Sequence, residues 1–101
     1  MNNADIRASQ QELHKTLKEL SQSVASFATD VNLALEEISK SVKELSSAWE
    51  GDGYDKFKST MSKEIEKGKK SITLANNLNT KLSERAVEAE KFINFLKSIG
   101  A

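Results

Sequence analysis

One glycine-rich interruption, Ala48-Trp49-Glu50-Gly51-Asp52-Gly53-Tyr54, divides this chain almost at its midpoint. The chain has four glycines and no proline, and two of those glycines lie two residues apart here. Because glycine tolerates positive φ, Gly51 and Gly53 can reverse a backbone that other residues would keep helical. The only tryptophan and the only tyrosine flank the same residues, where large amphipathic rings can cover the end of a helix pair. The stretch predicts a tight turn between two helices.

The segment before the turn has the pattern of one long amphipathic helix. Its apolar residues recur every three or four positions from Leu13 onward, with one stutter near Val31–Leu35. Asn3 and Asp5 are both able to cap its start. The pattern predicts a first helix over about residues 5–48. Its inward-facing stripe, the apolar seam, contains Ile6, Leu13, Leu17, Leu20, Val24, Phe27, Val31, Leu35, Ile38, Val42, Leu45 and Trp49.

The segment after the turn repeats this pattern. With Asp52 as N-cap, it predicts a second helix over about residues 53–98 and a turn at 50–52. Its seam contains Tyr54, Phe57, Met61, Ile65, Gly68, Ile72, Ala75, Leu78, Leu82, Ala86, Ala89, Ile93, Leu96 and Ile99. The two seams predict an all-α fold: an antiparallel helical hairpin that forms a single domain over residues 1–101. Gly68 in the seam indicates a close approach of the facing helix, and facing seams would bring Phe27 near Ala75 and Val31 near Ile72.

The end of the second helix carries more apolar surface than a hairpin can bury. Its apolar residues spread around more of the helix than one seam covers: Phe92, Ile93, Phe95, Leu96 and Ile99. A lone hairpin of this size also buries too little surface to be very stable. We therefore expect a four-helix bundle. The residues expected to contact the partner there are Phe92, Phe95 and Ile99 with Leu13, Leu17 and Leu20 of the other arm.

Charge is balanced over the whole chain but not between its halves. Residues 1–50 carry five Lys/Arg and eight Asp/Glu, a net of −3, whereas residues 51–101 carry ten and seven, a net of +3. An acidic arm beside a basic arm favours antiparallel pairing, although exposed pairs give only roughly 0.2–1 kcal/mol each. Glutamates interrupt the lysine-rich run 63–70, so nucleic acid is not an expected partner.

No cluster of residues indicates an enzyme, a metal site or a cofactor site. The chain has no cysteine, and its one histidine, His14, has no second ligand or partner group to complete a site. There is no glycine-rich phosphate loop. The N-terminus lacks the basic start and apolar block of a signal peptide, and no apolar run approaches the ~20 residues of a membrane span. We expect no catalytic, cofactor-binding or metal-binding residue and no stable membrane insertion.

Trp49-Glu50-Gly51 at the centre of a proline-free and cysteine-free helical chain resembles the WXG family of small Esx-type (ESAT-six-like) proteins. These are helical-hairpin substrates and partners of type VII (ESX) secretion in Gram-positive bacteria. The resemblance covers the whole chain, including Phe57 just inside the second helix. It implies a motif at Trp49 and Gly51, partner contacts at Trp49 and Phe57, and a homodimer or a heterodimer with another WXG-like protein. It also implies export from the cytoplasm by the type VII machinery without an N-terminal signal peptide.

One departure from the family pattern concerns the export signal. Members that carry their own signal usually end with Tyr-x-x-x-Asp/Glu, whereas the only tyrosine here is Tyr54, with Lys58 four residues later. The resemblance therefore implies dependence on a signal-bearing partner, or an accessory protein that binds the helical N-terminal domain of an LXG toxin. Two alternatives stay open: an accessory chaperone of such a toxin that is retained in the cytoplasm, and a structural coiled-coil subunit unrelated to secretion.

Overall fold

Two long α-helices make up nearly all of the protein. The computed structural model describes residues 2–100, so Met1 and Ala101 of the predicted domain lie outside the described residues. Helix α1 spans Asn3–Leu45 and helix α2 spans Asp52–Ser98, and residues 2–100 contain no strand. The prediction of an all-α helical hairpin is confirmed.

Helix α1 begins two residues earlier than predicted because Asn2, rather than Asn3 or Asp5, caps it. The side-chain oxygen of Asn2 accepts a hydrogen bond from the backbone N–H of Asp5 at 2.8 Å. Its carbonyl accepts another from the N–H of Ile6 at 3.1 Å. These bonds satisfy donors that have no partner inside the helix. Asp5 lies instead in the first turn, where a carboxylate suits the positive end of the helix.

Helix α1 also ends earlier than predicted, at Leu45. The N–H groups of residues 46–48 donate to carbonyls three residues earlier, which tightens the last turn. The hydroxyls of Ser46 and Ser47 donate to the carbonyls three residues before them, at 2.6 and 2.8 Å. These bonds satisfy the last carbonyls of the helix, and the Trp49 N–H donates to the Leu45 carbonyl at 2.8 Å, so Trp49 directly follows the tightened last turn.

Contacts between the helices form two compact units. The terminal unit comprises Met1–Ala25 and Asn76–Ala101. Within it, Ser21 Oγ donates a hydrogen bond to Asn79 Oδ1, and His14 Nε2 lies 3.9 Å from a carboxylate oxygen of Glu90. A later residue on α1 thus meets an earlier residue on α2, so the two segments run antiparallel. The buried apolar side chains of this unit all belong to α2: Ala86, Ala89, Ile93 and Leu96.

The turn unit comprises Ser26–Ala75. Its two helical segments are also antiparallel, since the Tyr54 hydroxyl donates to the Val42 carbonyl at 3.1 Å, whereas Leu35 contacts Gly68. A Cβ at Gly68 would lie 2.8 Å from both methyl carbons of Leu35, so the predicted close approach at this glycine is confirmed. The buried side chains of this unit are Ala28, Val42, Tyr54 and Ala75.

The inward face of α1 differs from the predicted seam at Leu20, Phe27 and Ile38, where the next residue faces inward instead, and Leu45 at the helix end is also exposed. In the terminal unit Leu20 is 47% exposed while Ser21 is half-buried. In the turn unit Phe27 is 54% exposed while Ala28 is only 6% exposed, and Ile38 is 37% exposed while Ser39 is half-buried. Leu20, Phe27 and Ile38 were therefore wrong as seam residues. The expected proximity of Phe27 to Ala75 stays a prediction. Smaller residues occupy these three inward positions, where they let helix backbones approach more closely than a leucine, phenylalanine or isoleucine would.

Helix α2 keeps its predicted seam with a single exchange of the same kind, and the last predicted seam residue, Ile99, lies beyond the end of the helix and is 53% exposed. Leu78 is half exposed, and the neighbouring Asn79 is the half-buried residue at this level. Asn79 faces inward because its side-chain oxygen accepts the hydrogen bond from Ser21. A polar residue can occupy a helix interface at low cost when such a bond satisfies it.

Candidate partner-binding surfaces

The turn between the helices depends on Gly51. Its φ is 103°, in the left-handed region that other residues adopt at a cost. Its carbonyl accepts a hydrogen bond from the N–H of Asp55 at 3.1 Å, the first bond of α2. Gly51 therefore holds the N-cap position predicted for Asp52. Asp52 and Asp55 both lie in the first turn of α2, where their carboxylates suit the positive helix end.

Three aromatic rings pack together beside this turn. The Trp49 ring centroid lies 5.9 Å from that of Tyr54, edge to face, and 5.4 Å from that of Phe57. A Cβ at Gly53 would be 3.4 Å from the Trp49 indole, an ordinary van der Waals contact, so Gly53 packs directly beneath that ring. Tyr54 is buried and its hydroxyl is bonded to Val42, whereas Trp49 remains 40% exposed. The cluster packs beside the turn and leaves part of the indole surface exposed to solvent.

A second surface lies on the terminal unit and includes most of the predicted partner contacts. About half of the side-chain surface is exposed at five apolar residues: Leu20, Leu78, Phe92, Phe95 and Ile99. Two further residues of the predicted surface, Leu13 and Leu17, are half-buried. The Phe92 and Phe95 rings stack at a centroid distance of 6.4 Å with 16° between their planes. Sequence periodicity places Leu78 in the seam and does not predict that it is exposed. The only sequence feature that could have indicated its exposure is the adjacent Asn79, which can pair with Ser21 across the helices.

These apolar residues share one side of the helix pair. The groove on the other side is lined by His14, Lys18, Ser21 and Gln22 of α1 and by Ser83, Ala86, Val87 and Glu90 of α2. Helical periodicity places Leu13 and Leu20 on the flank of α1 away from Lys18. It likewise places Leu78, Phe92 and Ile99 on the flank of α2 away from Val87. We call these five residues, with Phe95 stacked on Phe92, the terminal apolar face.

Ion pairs contribute little to the pairing of the two helices. Three of them are exposed pairs within α2: Glu64–Lys67, Glu66–Lys69 and Arg85–Glu88. The contact between His14 and Glu90 joins α1 to α2 at 3.9 Å and is ionic only when the histidine is protonated. Across residues 2–100, no lysine or arginine of one helix pairs with a carboxylate of the other. The expected attraction between acidic and basic arms is therefore not made by direct ion pairs within these residues.

The described residues contain neither a metal-binding cluster nor a membrane span. Among residues 2–100, no group of three or more His, Cys, Asp or Glu is placed to hold a metal ion. No helix in the same range is long and apolar enough to cross a bilayer. The candidate sites are thus the turn cluster and the terminal apolar face.

Comparison with protein-family models, curated proteins and solved structures found no match to this chain. The resemblance to WXG proteins accordingly stands on the central Trp49-Glu50-Gly51 sequence and on the two-helix pattern around it.

Proposed function

We propose that this protein acts by helix–helix binding, as a small partner or targeting adaptor in type VII secretion. The observation that carries the proposal is the terminal apolar face, where large apolar side chains stay exposed beside a buried seam. Exposed apolar residues scattered singly are ordinary, but a grouped aromatic patch on a small protein is typical of a binding surface. Phe92 and Phe95 are stacked and thus present one continuous surface to a partner helix.

The proposed role in type VII secretion rests on the structure of the turn. Trp49 packs on Tyr54 and Phe57, and Gly51 reverses the chain, which is the arrangement expected for a WXG motif between two helices. On this reading the partner is another WXG-like protein or the helical N-terminal domain of an LXG toxin. The partner supplies the terminal export signal, and the complex leaves the cytoplasm through the type VII machinery. An LXG-toxin chaperone that stays in the cytoplasm would use the same binding surface.

Co-expression with the products of neighbouring genes tests the proposal. We expect purification of this chain to recover a neighbouring helical protein in a complex of defined mass. A Phe92→Ser, Phe95→Ser double variant should lose that complex while its circular dichroism stays helical. A matched control, Leu33→Ser with Val87→Ser, removes two similarly exposed apolar side chains outside the face and should leave the complex intact.

Two outcomes would contradict parts of the proposal. Wild-type binding by the Phe92, Phe95 double variant would place the contact elsewhere on the chain. A secretion assay tests whether the protein acts in type VII secretion. If deletion of the type VII machinery changes neither export nor partner binding, the protein is better described as a structural coiled-coil subunit unrelated to secretion.

A further inference from the structure

Residues 3–25, which form the terminal segment of α1, pack on α2 without burying any of their own side chains. Their inward residues are only half-buried, and four of these eight are polar: Ile6, Arg7, Gln10, Leu13, His14, Leu17, Ser21 and Val24. Hydrophobic stabilisation grows with the apolar area removed from water, so half-buried polar side chains add little to it. The terminal segment is therefore the weaker half of its interface with α2.

The buried side chains of this interface belong to α2. Within the terminal unit they are Ala86, Ala89, Ile93 and Leu96. His14 lies level with Glu90, so the antiparallel register places Ile93 and Leu96 beside the first two turns of α1. Because the terminal unit consists of these two helical segments, separation of the terminal segment from α2 would expose its buried side chains.

Polar side chains add little to the contact between the terminal segment and α2. Ser21 donates a hydrogen bond to Asn79, and His14 Nε2 lies 3.9 Å from Glu90, whose side chain is 60% exposed. A contact at that distance between solvated groups is weak. Within residues 2–100, no lysine or arginine pairs with a carboxylate across the two helices. Strong ion pairs therefore do not replace the missing apolar burial.

The turn unit, taken by itself, is held differently. Its part of α1 contributes two buried side chains, Ala28 and Val42, and the Val42 carbonyl accepts a hydrogen bond from the Tyr54 hydroxyl at 3.1 Å. The unit is one continuous stretch of chain, Ser26–Ala75, whose helices are joined by the turn. The terminal unit consists of two separate stretches, so only noncovalent contacts hold its helices together. The turn unit can therefore stay paired when the terminal unit opens, because the turn keeps its helices close.

The α2 part of the terminal unit begins with poor helix formers. Asn76, Asn77, Asn79 and Thr80 all fall within its first five residues. Asparagine and threonine have low helix propensity, because their side chains compete for backbone hydrogen bonds or crowd the preceding turn. Helix α2 is thus intrinsically weakest where the terminal unit begins.

We propose that the terminal segment of α1 is a displaceable cover over α2. The terminal unit opens when this segment separates from α2, and the turn unit keeps its contacts. Opening exposes Ala89, Ile93 and Leu96 on the helix that already presents Phe92 and Phe95. These five residues occupy neighbouring positions of one helix, so the open form offers a wider apolar face than the closed form. The inference does not require the proposed role in secretion, because opening is a property of the chain alone.

Thiol labelling measures this opening, because the natural chain contains no cysteine. Single cysteines replace buried residues of the terminal unit, in Ala86→Cys and Ala89→Cys, and of the turn unit, in Ala28→Cys and Val42→Cys. Each labelling rate is divided by the rate of the same variant unfolded in urea, so that it reports how often the site opens. We expect the terminal-unit cysteines to react at least about tenfold faster than the turn-unit cysteines.

The static structure alone would give another order. Ala89 has no exposed surface, whereas Val42 is 8% exposed, so a hairpin without local opening should protect residue 89 at least as well as residue 42. Equal protection of the cysteines in the two units would overturn the proposal.

Two adjacent glutamines provide a matched pair of substitutions. Gln10 is half-buried, whereas Gln11 is exposed. In the Ala89→Cys background, Gln10→Leu adds apolar contact between the terminal segment and α2 and should slow labelling roughly tenfold. Gln11→Leu makes the same chemical change on the outer side of the helix and should leave the labelling rate unchanged. Equal slowing by both substitutions would show that packing on α2 does not control opening, and would overturn the proposal.

Hydrogen exchange of the unsubstituted chain tests the same opening without any mutation. A helical segment that leaves α2 loses the packing on which most of its helical stability depends. Relative to their intrinsic rates, the backbone amides of Leu13 and Leu17 should therefore exchange at least about tenfold faster than those of Leu35 and Val42. Matching protection along α1 would mean that the chain opens only as a whole, which overturns the cover and leaves the proposed function standing. Local opening without any secretion-linked partner would count against the proposed function alone.

Discussion

Leu35 lies directly against Gly68 across the turn unit, at a point where no larger residue fits without displacement. A Cβ at position 68 would stand 2.8 Å from both leucine methyl carbons and 3.3 Å from the carbon that carries them. Glycine inside a helix costs about 1 kcal/mol relative to alanine. This loss of helix propensity is offset because the missing side chain lets α1 and α2 approach closely.

The sign of the effect of Gly68→Ala should depend on residue 35. In the wild type we expect little gain or a net loss of stability, because overpacking, typically about 1–3 kcal/mol, opposes the gain in helix propensity. In a Leu35→Ala background the same change should stabilise the protein by about 1 kcal/mol. Urea unfolding of the four proteins in this double-mutant cycle measures the coupling. Equal effects in both backgrounds would show that Leu35 is not the constraint.

The two glycines of the turn should respond differently to alanine. Gly51 has a φ of 103°, so Gly51→Ala should destabilise the hairpin by about 1–2 kcal/mol. Gly53 is helical, and its added Cβ would make ordinary contact with Trp49 at 3.4 Å. Gly53→Ala should therefore be neutral or slightly stabilising. Thermal unfolding of the two variants compares them, and similar losses at both positions would contradict the assignment of the reversal to Gly51.

Sequence periodicity predicts the two helices and the turn well, because one glycine-rich stretch interrupts otherwise continuous patterns. It also predicts the aromatic cluster at the turn in part: Trp49, Tyr54 and Phe57 are recognisable from their positions around the glycines. Their contacts depend on where α1 ends. At that end the backbone forms a tightened turn and the hydroxyls of Ser46 and Ser47 donate to carbonyls of the last turn, features that apolar periodicity does not reveal.

The choice of inward residue on α1 could not be predicted from hydrophobicity. Leu20 and Phe27 are the larger apolar residues, yet Ser21 and Ala28 face inward in their respective units. Small residues are favoured where helices lie close together, and this preference overrides the tendency to bury the larger side chain. On α2 the same exchange leaves Leu78 exposed beside the inward Asn79, and Leu78 is the residue by which the terminal apolar face exceeds the predicted partner contacts.

The hydrogen bond between Ser21 and Asn79 should stabilise the terminal unit as a coupled pair. Removing either partner leaves a half-buried polar group without its bond, at a cost of about 1 kcal/mol or more. We expect Ser21→Ala and Asn79→Ala each to lower stability by about that amount, and the double variant to cost less than the sum. Chemical denaturation of the three variants provides the measurement. Strict additivity would mean that the two side chains act independently.

Trp49 should matter more for binding than for helix content. Truncating a fully packed tryptophan costs about 3–5 kcal/mol, but this ring is 40% exposed, so Trp49→Ala should cost less than that range. The loss should come from its contacts with Tyr54 and Phe57, which lie beside the turn, so both long helices should persist in circular dichroism. Complex formation or export should fall further than helicity does. Trp49→Phe serves as the matched control, because it keeps an aromatic surface and should retain more of the binding. If Trp49→Ala pairs and is exported like the wild type, its exposed indole has no role in partner recognition.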